Sequence, residues 1–137
     1  MTIMPAHRAK TTGVILTYLI VYIFFAAGGL GADWNEEKIK INYLIGEIEQ
    51  LDGVFIRNGN EHSPAAAAAH IRMKMKKAME SWFAPNQEQW TAEMFIEKIA
   101  SRSSISGKPY KIKIKTGEIV EAGDWLYERL KKFPGNP

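Results

Sequence analysis

The chain has 137 residues, 18 of them basic and 15 acidic, a formal charge of +3 at neutral pH and no cysteine. Disulfide scaffolds and thiolate metal sites are therefore excluded, and the length allows one small domain held by packing alone. The weak positive charge, without a Lys/Arg stripe interleaved with stacking aromatics, argues against nucleic acid as a partner.

His7, Arg8 and Lys10 precede the uncharged stretch Gly13 to Ala32, GVILTYLIVYIFFAAGGLGA. Its strongly apolar part, Val14 to Phe25, is shorter than the roughly 20 residues of a full span, and its end is mostly Ala and Gly, as before a signal-peptidase cut. Small residues recur at −3 and −1 spacing, as in Ala27 with Gly29 and Gly29 with Gly31. The stretch reads as an export signal, with an uncleaved anchor as the alternative. Residues 1–31 are then a signal peptide or membrane anchor, and residues 32–137 a single domain in the periplasm or tethered at the inner membrane facing it. Loss of Arg8 and Lys10 leaves that domain near +1.

Asp33 or Asn35 caps a helix with Glu36 and Glu37 in its first turn, where negative charge suits the dipole. Ile41, Leu44, Ile45, Ile48 and Leu51 continue it as an amphipathic face. Asp52-Gly53 ends it, Val54-Phe55-Ile56 is a short extended run, and Asn58-Gly59 is a tight turn that delivers the chain to a second helix. Ser63 caps this helix with Pro64 in its first position, and Ala67, Ile71, Met75, Ala78 and Trp82 form its apolar stripe. After the loop APNQEQ, Thr91 caps a third helix through Ile99 or Ala100, with Phe95, Ile96 and Ile99 facing inward.

The segment Ser101 to Pro109, SRSSISGKP, cannot extend that helix and must find partners for its hydroxyls and amides. Tyr110, Ile112 and Ile114 then alternate with Lys111, Lys113 and Lys115, the pattern of a half-buried strand with a lysine row on its other face. Thr116-Gly117 turns this strand toward Ile119-Val120, and a last helix opens at Gly123-Asp124 with Leu126, Leu130 and Phe133 inward. The expected fold is α+β, with about four helices packed on a short antiparallel hairpin.

FIRNGNEHSPAAAAAHIRMKM, TAEMFIEKIASRSSISGKPYKI and WLYERL, in this order and spacing, resemble the YfeK-like family of small exported bacterial proteins. The similarity covers about Glu37 to Leu130. It implies an exported α+β domain of unknown function, with no established activity or catalytic residues to carry over. Family members commonly carry Glu where Ala66 stands, which completes a capping box absent here. The segment Met79 to Trp90 is longer here, with Trp82, Phe83 and Trp90.

The loop serines Ser101, Ser103, Ser104 and Ser106 could offer hydroxyls and amides to an anion, with Arg57, Arg72 or Arg102 supplying charge, or could close the loop's own hydrogen bonds. The glycine spacing of a phosphate-binding P-loop is missing. His70 lies near the apolar face of the second helix. Without HxxxH or HExxH spacing a metal is not expected there, and a neutral imidazole bonded to the serine loop or a carbonyl is the structural reading.

A triad of Ser103 or Ser104 with His70 and Glu93 can be drawn, but no GxSxG elbow supports it. Arg57-Asn58-Gly59 reads as a turn whose arginine pairs with a carboxylate such as Glu93 or with loop carbonyls. The lysine row reads as a solvated face that discourages edge pairing, or as a contact for anionic lipid or polymer. Trp82, Phe83 and Trp90 are either core or a docking patch.

The expected function is noncatalytic binding of an envelope protein or an anionic envelope component through Arg57, Asn58, His70, Arg72, the four serines and Tyr110. No cofactor is expected, and contact with the membrane comes only through an uncleaved N-terminus. The alternative is a hydrolase of an envelope polymer using His70 with a loop serine.

Overall fold

The computed structural model describes residues 32–135. Gly13 to Gly31, and the export reading placed on them, lie outside the described residues.

Helix α1 (Trp34–Glu49) starts where Asp33 accepts a hydrogen bond from the Asn35 amide at 2.9 Å. It buries Ile41, Leu44, Ile45 and Ile48 at helical spacing. Strand β1 (Gly53–Arg57) follows, and Asn58 (φ 49°) and Gly59 (φ 80°) form the two-residue type I′ loop that matches the twist of a hairpin. That loop does more than deliver the chain to a helix: it folds Asn60–His62 back as β2, with Arg57 opposite Asn60 and Phe55 opposite His62. Period-two alternation over three polar residues is too short to show as a strand, so β2 escaped the sequence reading.

Helix α2 (Pro64–Met79) begins where Ser63 accepts from the Ala66 amide at 3.2 Å. It buries Ala67, Ala68, Ile71 and Met75 and packs against α1. The spacing of this stripe extends to Trp82, but α2 stops before it and leaves the indole 94% exposed. A short 3-10 turn (Gln87–Gln89) leads to α3 (Ala92–Phe95), capped by Thr91 on the Met94 amide at 3.1 Å. The expected third helix is α-helical for one turn only and continues as a π-helix, Ile96–Ala100. The wider turn keeps Phe95, Ile96, Ile99 and Ala100 all buried.

Strand β3 (Lys111–Ile114) and strand β4 (Ile119–Glu121) form the expected hairpin, turning through Gly117 (φ 91°). Helix α4 (Ala122–Lys131) buries Leu126 and Leu130, and beyond it Phe133 meets Tyr43 edge-on at 5.3 Å. The fold is α+β, but its sheet has four antiparallel strands in the order β2-β1-β3-β4 instead of a lone hairpin. The central pair is β1 with β3, which sets Phe55 opposite Ile112 in the core shared with the helices.

The lysine row does not protect an edge, because β3 is an interior strand and the edges are β2 and β4. Lys113 pairs with Glu61 and Lys115 with Asp52, so part of the row is neutralised on the outer face. No helix among the described residues is long and apolar enough to cross a membrane.

Candidate anion-binding site

A cavity of about 750 Å³ opens between α2, the Ser81–Trp90 segment and the serine loop. Its lining brings together Arg57, Asn58, His70, Ser103, Ser104 and Tyr110 of the residues singled out from the sequence. Arg72 is not among them. It projects to α1 and forms a two-pronged ion pair with Glu49, at 2.7 and 3.5 Å, which removes it from the site.

The serine loop closes most of its hydrogen bonds on itself. Ser101 Oγ donates to the Glu97 carbonyl at 3.0 Å, and buried Ser103 Oγ accepts from the Ile105 and Ser106 amides at 3.4 and 3.3 Å. Ser103 also exchanges backbone bonds with Lys108 and Gly107. Ser106 Oγ donates to Asn58 Oδ1 at 2.7 Å, which ties the loop to the β1–β2 turn. Ser104 is exposed at the cavity and has no hydrogen bond among the described residues.

The residue that organises this wall is Lys74, one helical turn beyond His70 on α2. Its Nζ donates to the carbonyls of Ile99 at 2.7 Å and Arg102 at 2.5 Å, and lies 5.0 Å from the Tyr110 ring centroid. It thus caps the end of the π-helix, where carbonyls have no helical partner. Tyr110 in turn packs on Phe55 at 5.3 Å. A lysine bordering the stripe Ala67, Ile71, Met75 is placed to run its stem over the core, and that was the available signal.

Burial, and then Arg57, lower the Lys74 pKa to about 8, so the amine remains charged at neutral pH. Between about pH 8 and the ordinary value of 10.5 the unfolded chain holds a proton that the folded chain has released, and stability rises with pH across that window. Chemical denaturation at several pH values, with Lys74→Met as the reference, should show wild type gaining on the variant from pH 8 upward. A constant difference would contradict this account.

The site is electrostatically one-sided. Arg57, Lys74, Lys77 and Lys98 line it together with His70, and no aspartate or glutamate stands among the lining residues. Arg57 forms no ion pair among the described residues, and the expected pairing with Glu93 does not occur. Burial first, then Arg57, Lys74, His62 and Lys77, hold the His70 imidazole pKa below its ordinary value of 6.5, which favours the neutral form. His70 is half-buried and among the described residues has no hydrogen bond to a loop serine or carbonyl; Glu93 lies outside the lining, so the triad geometry is not assembled.

The apolar half of the wall comes from Met73, Phe83, Trp90 and Ile105. Trp90 is 3% exposed, and its indole N–H has no acceptor among the described residues. The aromatic segment therefore divides, with Trp90 joining the core and Trp82 and Phe83 standing in solvent. Among the described residues no group of three or more His, Asp or Glu is placed to hold a metal ion. The arrangement suits an anion that carries an apolar part, because four cations in a lining that has no carboxylate face a wall of aromatic and aliphatic side chains.

The family described as "Family of unknown function (DUF5329)" matches residues 35–134. The uncharacterized protein YfeK of Salmonella typhimurium strain LT2 is 39% identical over 75 residues. That alignment covers 54% of this chain and 57% of the relative, so the chain spans little more than half of the curated relative's length. No solved structure gives a significant match. With all of the described fold except residues 32–34 and 135 inside the matched range, the chain belongs to this YfeK-like family of unknown function.

Proposed function

We propose that the domain is a noncatalytic binding module of the bacterial envelope, and that its cavity takes an anionic ligand with an apolar portion. The observation that carries this reading is a cavity of about 750 Å³ with four Lys or Arg side chains and no carboxylate in its lining. Export to the periplasm, or anchoring at the membrane that faces it, rests on the Gly13 to Ala32 stretch. The hydrolase alternative would need a serine or carboxylate bonded to His70, and among the described residues His70 has no such hydrogen bond.

Hexyl phosphate, inorganic phosphate and hexanol separate the two halves of the reading. In calorimetry on the full chain in phosphatidylcholine nanodiscs, referenced to empty discs, hexyl phosphate should bind more tightly than either fragment, because charge and tail each contribute. Arg57→Gln combined with Lys77→Gln should weaken it about tenfold or more. Equal binding of hexanol, or an unaffected double variant, would remove the proposal.

A further inference from the structure

Two loops border the cavity mouth, and each carries bulky apolar side chains at its tip. The Ala84 amide donates to the Ser81 carbonyl at 3.0 Å, closing a turn whose two corner residues are Trp82, 94% exposed, and Phe83, 92% exposed. In the serine loop, the Gly107 amide donates to the Ser103 carbonyl at 2.9 Å and lifts Ile105 to 99% exposure. Phe83 and Ile105 both line the cavity, and so do the exposed Lys77 and Lys98. Three large apolar side chains held in water by closed turns are costly unless something covers them.

What covers them is indicated by the charge beside them. A protein groove would ask only for apolar complementarity at the tips, whereas here the tips ring a cationic cavity without a carboxylate in its lining. Tryptophan and phenylalanine beside lysines match the boundary of a bilayer, where rings settle at headgroup depth and ammonium groups meet anionic lipid. We infer that the Trp82-Phe83 turn and Ile105 insert into the surface of an anionic phospholipid membrane, and that the cavity between them receives a lipid phosphate headgroup from it. This rests on the anion-binding reading and names the source of the anion.

The absence of cysteine makes a single labelled site unambiguous. Ser81→Cys carrying an environment-sensitive nitrobenzoxadiazole dye reports on the turn, and Glu118→Cys, in the β3–β4 turn at the far end of β3 from Tyr110, is the control. The full chain is placed in phosphatidylcholine vesicles with or without about a third phosphatidylglycerol. The dye at position 81 should brighten and shift to shorter wavelength in the anionic vesicles, and the dye at position 118 should not. Trp82→Ser with Phe83→Ser should abolish the shift, and Lys77→Glu with Lys98→Glu should reduce it about tenfold.

Equal insertion in both vesicles overturns the anionic specificity and with it the inference. No shift in either vesicle, with hexyl phosphate still bound in calorimetry, also overturns it, assigns the apolar tips to a protein partner and leaves the anion-binding reading standing. Loss of both signals removes both.

Discussion

Replacing Glu37 with alanine should lower the thermal midpoint by roughly 15 °C, from a loss of about 3 kcal/mol. The carboxylate is 5% exposed and accepts a hydrogen bond from the Ala92 amide at 2.6 Å, while its other oxygen takes Lys40 at 3.0 Å. Ala92 is the first residue of α3, so a side chain from α1 fills a gap left by the short reach of the Thr91 cap, which satisfies only Met94. Truncation leaves a buried amide unpaired and Lys40 with the exposed Glu36 as its remaining partner. Glu37→Gln keeps an acceptor in place and should cost about 1 kcal/mol. Equal losses in the two variants, by differential scanning calorimetry of the full chain, would show that the bond to α3 is not what Glu37 provides. The consequence reaches the site, because α3 carries the π-helix whose end Lys74 caps.

Gly53→Ala should be comparably damaging, by about 3 kcal/mol or more. A Cβ at this position would overlap the carbonyl oxygen of Lys113 and sit 3.0 Å from the Ile114 Cα, both of them backbone atoms of the paired strand that cannot swing aside. The central β1–β3 pair must then separate locally, and the amides of that ladder should lose hydrogen-exchange protection before those of β4. The same substitution at Gly46, inside α1 with nothing within 4 Å, should instead stabilise by about 1 kcal/mol, since alanine is the better helix former. Opposite signs for one chemical change separate close strand approach from helix propensity. If Gly53→Ala melts like wild type, the strand spacing at this point is not tight.

These two residues show where sequence reading stops. That Glu37 is an acid in a first helical turn is a local fact about the dipole, legible from its neighbours along the chain. That it also reaches an amide 55 positions away depends on how α1 packs beside α3. Gly53 after Asp52 signals a helix stop locally, and its second role arises only when β3 arrives alongside it. The candidate site divides in the same way. Arg57, Asn58, His70, Ser103, Ser104 and Tyr110 do meet at one cavity, whereas Arg72, separated from His70 by a single residue, is turned by the helix to a different face and to Glu49.

Determined by the sequence itself were the features that neighbours along the chain decide: the caps at Ser63 and Thr91, the start of α1 at Asp33 or Asn35, the buried stripes of α1 and α4, and the turns at Asn58-Gly59 and Thr116-Gly117. Each depends on hydrogen bonds, side-chain spacing or φ preferences within a few residues, so the local text is sufficient. Tertiary structure alone decided the four-stranded order, the burial of Trp90 against the exposure of Trp82, the capping of a π-helix by Lys74, and the gathering of four cations around one cavity with no carboxylate in its lining. Those outcomes turn on which distant groups come within a few ångströms of one another, and a charge has neither a partner nor a desolvated neighbour until the chain has packed.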